Sequence, residues 1–233
     1  VAPRNERSRR RRNDVTLSPY GIREWLTASV LAAIVLVVSG FLGWWWIGML
    51  VLVPWLAVAW FFRDPLGRRP DSPDPGDLVS PADGRISAIE RVREHPAVDG
   101  PAVIIRIFLS VLDVHVNRSP CKATVRGLVY TPGRYLDART EESAKVNESN
   151  LVLLSMESGE PFGVRQVSGA IARRIVCPVR SGDVLGRAQR FGMIKFGSTT
   201  ELILPDREAE GPEVRVAVGD RVRGGVTILA SVE

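Results

Sequence analysis

The stretch Met193 to Pro205, MIKFGSTTELILP, has the apolar residues of a buried strand pair, yet Gly197-Ser198 interrupts it. A glycine inside a strand forfeits packing and marks a bulge or a close backbone approach. One chemistry needs both residues. A serine hydroxyl can attack the carbonyl of the residue before it and convert that amide into an ester. A preceding glycine puts no Cβ in the way and tolerates the bent backbone that the attack requires. β-Elimination of the ester would break the chain and leave dehydroalanine, which hydrolyses to a pyruvoyl group. That keto-amide is an electrophile able to condense with an amine and take up electrons from a departing carboxylate. The G-x-S-x-G elbow of hydrolases is absent around Ser198.

Such a serine needs a base. The chain has two histidines. His95, in REHPAVDG, reads as a loop residue. His115 lies inside IIRIFLSVLDVHVNRSP, a run of β-formers, where a lone histidine is by default a core residue. It becomes a base only if a carboxylate and a nucleophile converge on it. Asp83, in VSPADGRISAIE, is the candidate carboxylate, although Asp-Gly is also ordinary turn chemistry. Cys121 and Cys177 sit in apolar strand contexts with no metal-ligand or disulfide spacing. They read as core thiols of a cytoplasmic body, and no metal is expected.

These residues must be positioned by a body that begins late in the chain. Residues 1–12 hold six arginines and one glutamate, out of 31 Lys+Arg and 26 Asp+Glu in all, so the formal net charge of +5 belongs to that tail. A balanced body argues against nucleic acid as a partner. After a basic tail over 1–24, residues 25–62 carry no charge at all. That run is almost twice the roughly 20 residues one spanning helix needs. Two helices, 25–41 and 44–62, joined near SGFLGWWW, make a transmembrane hairpin. Trp44, Trp45 and Trp46 then lie at the far interface, and arginines flank both ends on the cytoplasmic side. A Pro/Asp/Gly-rich linker follows over 63–77.

The body, 78–233, reads as mainly β. Its candidate strands are 86–92, 102–109, 111–116, 122–130, 150–157, 164–169, 200–204, 213–218 and 226–232. Short helices are expected only at 135–145 and 170–176. VRSGDVLGR (179–187) and VAVGDRVRGG (216–225) echo each other: valine-rich strand, Gly-Asp turn, valine, glycine. This pattern resembles that of barrel-sandwich hybrid folds, which leaves open a membrane-tethered, non-catalytic β-hybrid module. A lipoyl-type carrier would display a lysine at a hairpin tip. Lys122, Lys145 and Lys195 are the only lysines, and none sits at such a turn.

Four stretches taken together, SPADGRI (80–86), LDVHVNRSP (112–120), QVSGAIARRIVC (166–177) and RFGMIKFGST (190–199), resemble those of phosphatidylserine decarboxylases of the short bacterial and archaeal form. The apolar hairpin looks like that family's membrane segment. The resemblance implies a proenzyme that cuts itself between Gly197 and Ser198 into a β chain, 1–197, and an α chain, 198–233, that begins with a covalent pyruvoyl group. Asp83, His115 and Ser198 match the family's processing triad. The implied reaction turns phosphatidylserine into phosphatidylethanolamine and carbon dioxide at the cytoplasmic face of the cell membrane, with His115 serving both processing and turnover. The bilayer and the two cleaved chains are then the implied partners; a homodimer is left open, as is a related substrate of the archaetidylserine type. Arg118 and Lys195 are candidates for the phosphate. One departure stands out: the chain reads NESN at 147–150, with Ser149 where the family often has arginine.

Overall fold

The computed structural model describes residues 15–72, 74–170, 174–195, 197–207 and 211–232. The arginine-rich tail lies outside the described residues. The chain divides into two compact units, 1–67 and 68–233.

In the first unit, β1 (Val15–Leu17) pairs antiparallel with β2 (Arg63–Pro65). Between them run α1 (Ile22–Phe41) and α2 (Trp45–Phe61). At 1.5 Å per residue, α1 is about 30 Å long, the thickness of a hydrocarbon core. Among the described residues it is the one helix long and apolar enough to cross a membrane, and α2 is a shorter apolar helix. Leu26, Val30, Ile34, Val37, Phe41, Trp45, Leu50, Val53 and Leu56 are all exposed. Helices that are apolar all round and face outward suit a membrane. Gly43, at φ +71°, makes the tight turn between them. Two contacts hold the pair together. Trp55 Nε1 donates to Ser29 Oγ (3.0 Å). A Cβ on Gly48 would come within 3.0 Å of Leu36 and Ser39, so the small residue permits a close helix approach. The expected hairpin forms, with each helix within a few residues of its expected bounds.

The second unit is mainly β, as expected. Its strands are β3 (Asp77–Val79), β4 (Gly84–His95), β5 (Gly100–Leu109), β6 (Val116–Arg118), β7 (Ala123–Thr131), β8 (Ser149–Met156), β9 (Pro161–Val167), β10 (Arg174–Val176), β11 (Val184–Leu185), β12 (Arg190–Lys195), β13 (Ser198–Pro205), β14 (Glu213–Val214), β15 (Arg221–Val222) and β16 (Ile228–Ser231). An eight-stranded antiparallel sheet, in the order β11-β7-β8-β9-β13-β5-β4-β15, curls into a half-barrel. Two three-stranded sheets, β10-β12-β6 and β14-β16-β3, accompany it. Ile86, Ile105, Ile107, Leu154, Phe162, Phe191, Leu202 and Leu204 form the main core. Ala97, Ala102, Ile104, Leu151 and Ile203 make a second cluster.

The sequence echo becomes a structural pair. Asp183 Oδ2 accepts from the Arg180 amide and Asp220 Oδ2 from the Ala217 amide, each at 2.8 Å. Gly182 and Gly219 take positive φ (+93° and +100°). The strands these turns launch, β11 and β15, form the two opposite edges of the large sheet.

Three local expectations give way. Residues 111–116 are not a strand. Asp113 Oδ2 accepts from the amide (2.9 Å) and hydroxyl (2.8 Å) of Ser110, closing a turn that delays β6 until Val116. At 170–176, Arg174–Val176 is a strand, because Ile175 and Val176 pair with Ile194 and Met193; residues 171–173 lie outside the described residues. The helix expected at 135–145 is α3 (Glu141–Val146), starting where Thr140 caps the Ser143 amide.

Strand β13 is buried along its whole length. On one face Glu201, 1 % exposed, accepts from Arg106 Nε (2.8 Å) and Arg165 (3.3 Å). Glu201→Ala leaves the Arg106 guanidinium without its buried partner. Breaking such a pair costs about 3–5 kcal/mol, and urea unfolding of the detergent-solubilised chain should read a loss of that size.

Candidate active site

Gly197 is where the chain changes sheets. The strand before it, β12, belongs to the β10-β12-β6 sheet, and the strand after it, β13, is central in the eight-stranded sheet. The two halves of the interrupted stretch are therefore not partners of each other. Gly197 takes φ +68°, a left-handed conformation that glycine adopts without strain. A second glycine meets it from β9's end: a Cβ on Gly169 would lie 2.4 Å from the Gly197 carbonyl oxygen. Two glycines thus let two backbones touch at this one peptide.

Ser198 opens β13, opposite Leu109 of β5. It is wholly buried, and its Oγ has no hydrogen-bond partner among the described residues. His115 is also wholly buried. Its Nδ1 lies 2.9 Å from the Asp113 carbonyl, and its Nε2 lies 3.1 Å from the Gly197 amide nitrogen. A carbonyl only accepts, so Nδ1 carries the proton, and Nε2 accepts from the Gly197 amide, one peptide before the Gly197-Ser198 junction. The Ser110–Asp113 turn that displaced the expected strand is what aims the ring.

The structure brings His115, Gly197 and Ser198 together. Asp83 is engaged differently. Its carboxylate forms a bidentate pair with Arg68, one arm of it Nη2 to Oδ2 at 2.8 Å, and accepts from the Gly224 amide at 2.8 Å. The group that orients the imidazole is the Asp113 carbonyl. Arg118 and Lys195, the candidates for the phosphate, are both buried. Arg118 donates to the Ala188 carbonyl (3.1 Å). Ser149 Oγ accepts from Arg165 Nη2 (3.1 Å), so a guanidinium from β9 lies against this position. His95 ends β4 instead of lying in a loop, and its Nδ1 accepts from the Ala97 amide (3.1 Å). Burial pushes the Cys121 thiol up to about 12 and the Cys177 thiol up to about 11. Both remain protonated at neutral pH and are poor nucleophiles.

Sequence reasoning missed the frame that holds these groups. Asn117, Gln166, Asn150 and Thr200 form a buried chain of side-chain hydrogen bonds. Asn117 Nδ2 donates to Thr200 Oγ1 (3.0 Å), Gln166 Nε2 to Asn117 Oδ1 (2.9 Å) and Asn150 Nδ2 to Gln166 Oε1 (3.1 Å). Three of the four members stand two residues from a residue at or near the junction: Asn117 from His115, Thr200 from Ser198, Gln166 from Ser168. Asn117 lies on β6, directly after His115, and Thr200 on β13, so this chain ties the small sheet that follows His115 to the large sheet that carries Ser198. The signal was present as polar residues at i and i+2 in otherwise apolar strands. Gln166→Leu orphans its two buried partners. It should cost about 1–3 kcal/mol for each group left unsatisfied, read by urea unfolding of the solubilised chain.

Comparison with known proteins identifies the family. Residues 56–230 match the family model described as phosphatidylserine decarboxylase. Proteins named phosphatidylserine decarboxylase proenzyme are similar over most of their length. That of Carboxydothermus hydrogenoformans is 42 % identical over 199 residues, covering 85 % of this chain and 91 % of the relative. That of Symbiobacterium thermophilum is 44 % identical over 185 residues, 79 % and 83 % of the two chains. That of Aromatoleum aromaticum is 41 % identical over 209 residues, 88 % and 92 %. The chain belongs to the phosphatidylserine decarboxylase family and is a decarboxylase.

Proposed function

We propose that this chain is a proenzyme that cuts itself between Gly197 and Ser198 and then decarboxylates phosphatidylserine to phosphatidylethanolamine at a pyruvoyl group made from Ser198. The observation that carries the reading is the buried, unpartnered Ser198 hydroxyl, which follows a positive-φ glycine whose amide meets His115 Nε2.

The steps use the chain's own groups. His115 Nε2 takes the proton of the Ser198 hydroxyl as general base. Oγ forms a bond to the Gly197 carbonyl carbon, and the bond from that carbon to the Ser198 nitrogen breaks, leaving an ester and a free amine. Removal of the Ser198 α-proton expels the Gly197 carboxylate. The dehydroalanine left behind takes up water and releases ammonia. Gly169 supports the first step by clearing space against the carbonyl oxygen. The Asp113 carbonyl keeps Nδ1 protonated and therefore Nε2 basic. Asp83, held by Arg68 and the Gly224 amide, enters this reading only through its match to the family's processing triad. A ketone conjugated to an amide at this position supplies the electron sink that carboxylate loss requires. The buried setting of Ser198 and His115 keeps water from competing.

The apolar hairpin gives the reading a membrane. Phosphatidylserine keeps its acyl chains in the bilayer, so a tethered body needs to receive the head group alone, at a raised local concentration. Arginines outside both hairpin ends favour the cytoplasmic face, and the basic tail adds attraction to anionic lipid.

Intact mass tests the cut. The wild-type chain should resolve into residues 1–197 and 198–233, and Ser198→Ala should stay whole; a wild-type chain that stays whole would sink the reading. His115→Ala should slow cleavage about 10²–10⁴-fold, the usual worth of a general base, and Asp83→Asn should slow it less. Gly169→Ala pushes a methyl against the Gly197 oxygen and should slow cleavage about 100-fold, the scale of an ångström-sized misplacement. A Gly169→Ala chain cut at the wild-type rate would remove that residue from the account.

A further inference from the structure

Three buried side-chain oxygens lie in one line across the large sheet. In the register of β8 with β9, Asn150 faces Gln166 and Ser149 faces Val167. One step further back Glu148 stands opposite Ser168, and the Ser168 amide donates to the Glu148 carbonyl (2.9 Å). Thr199 of β13 faces Val167 from the other side, the last pair of that ladder, and continuing the register by one residue puts Ser198 opposite Ser168. Glu148, Ser168 and Ser198 therefore form one cross-strand row on one face. The next row is Asn150, Gln166 and Thr200.

The two rows differ in one respect. Asn150, Gln166 and Thr200 are satisfied by the amide chain through Asn117. In the first row, Glu148 Oε2, Ser168 Oγ and Ser198 Oγ are all buried and have no partner among the described residues. Glu148 is 8 % exposed. Its other oxygen, Oε1, accepts from the Tyr130 hydroxyl (2.8 Å). That hydrogen bond to a carboxylate holds the Tyr130 phenol above its ordinary pKa. Burying a carboxylate oxygen without a donor is expensive. A carboxyl oxygen buried with no donor among the described residues leaves a place for a cationic or hydrogen-bond-donating ligand. Two strand spacings of about 4.8 Å put the Glu148 and Ser198 backbones about 10 Å apart. A glutamate side chain and a small amino head group together span that gap.

We propose that Glu148 receives the ammonium of the lipid head group and takes its proton. The assignment rests on the reading that Ser198 becomes the reactive group. Oε2 pairs with the ammonium. One N–H bond breaks, one O–H bond forms on Oε2, and the nitrogen lone pair becomes available as a nucleophile. The product amine takes the proton back on leaving, which restores the carboxylate. Ser168 Oγ, between the two, offers a hydrogen bond to the same head group. Tyr130 fixes the carboxylate through Oε1 and so leaves Oε2 as the binding atom.

The test uses the full chain in detergent micelles. Carrying Ser198→Ala, it is titrated with short-chain phosphatidylserine and with the N-acetyl derivative of the same lipid, which has no ammonium. The amine lipid should bind at least tenfold more tightly. Adding Glu148→Gln should abolish the preference, and adding Tyr130→Phe, which releases Oε1, should reduce it. Equal binding of the two lipids, no measurable binding of the amine lipid, or a preference that survives Glu148→Gln would each overturn the assignment. The comparison of the two lipids on the Ser198→Ala chain decides the matter even if Glu148→Gln does not fold. Self-cleavage is scored separately by intact mass. Failure of the wild-type chain to cut would contradict the role of Ser198 and leave the lipid comparison standing on its own.

Discussion

The peptide between Gly197 and Ser198 joins two sheets that cannot both move to suit it. On its C-terminal side, β13 is buried on both faces and paired on both edges, with β5 and β9. A strand so enclosed has no freedom to slide, because a one-residue shift would exchange its two faces. On its N-terminal side, β12 is fixed in the β10-β12-β6 sheet. The crossing falls on the residue that tolerates a left-handed backbone, and a second glycine admits the carbonyl. The bent geometry at this junction follows from the sheets around it, as backbone strain at reactive sites generally does.

The buried amide chain makes the same point energetically. Each of its members would be costly to bury alone, and together they satisfy one another. Its effect is positional. It links the strand after His115 to the strands holding Ser168 and Ser198, one row away from the reacting groups. The row it satisfies is stiff, while the adjacent row keeps hydroxyl and carboxylate oxygens unengaged. A polar core of this kind contributes less to stability than apolar packing of the same volume would, and it gives a single register in return.

Much of this was legible in the sequence. The uncharged run over 25–62 read best as an apolar hairpin, and the Gly-Asp echo at 182–183 and 219–220 was visible as a repeated turn, although its place at the two edges of the large sheet was not. Gly197-Ser198 announced an interruption inside a buried strand. Other features were not legible, for physical reasons. Apolar β-formers at 111–116 read as strand because the side chain of Asp113, three residues after Ser110, closes a turn that propensity does not register. Asp83 read as the partner of His115 because the sequence does not show that Arg68 and the Gly224 amide arrive at its carboxylate from distant segments. The imidazole is instead oriented by a main-chain carbonyl, which has no signature in residue type. Glu148 was passed over as part of a family departure at Ser149, and only the cross-strand register aligns it with Ser198.

The central claim is that a backbone held open at one glycine lets a serine turn itself into a ketone. The mass of the fragment 198–233 from purified wild-type protein measures this most directly. A fragment lighter by one ammonia than a serine-initiated chain, and without a free amino terminus, is the predicted result. A fragment of that length beginning with unmodified serine would mean simple hydrolysis, and would contradict the account.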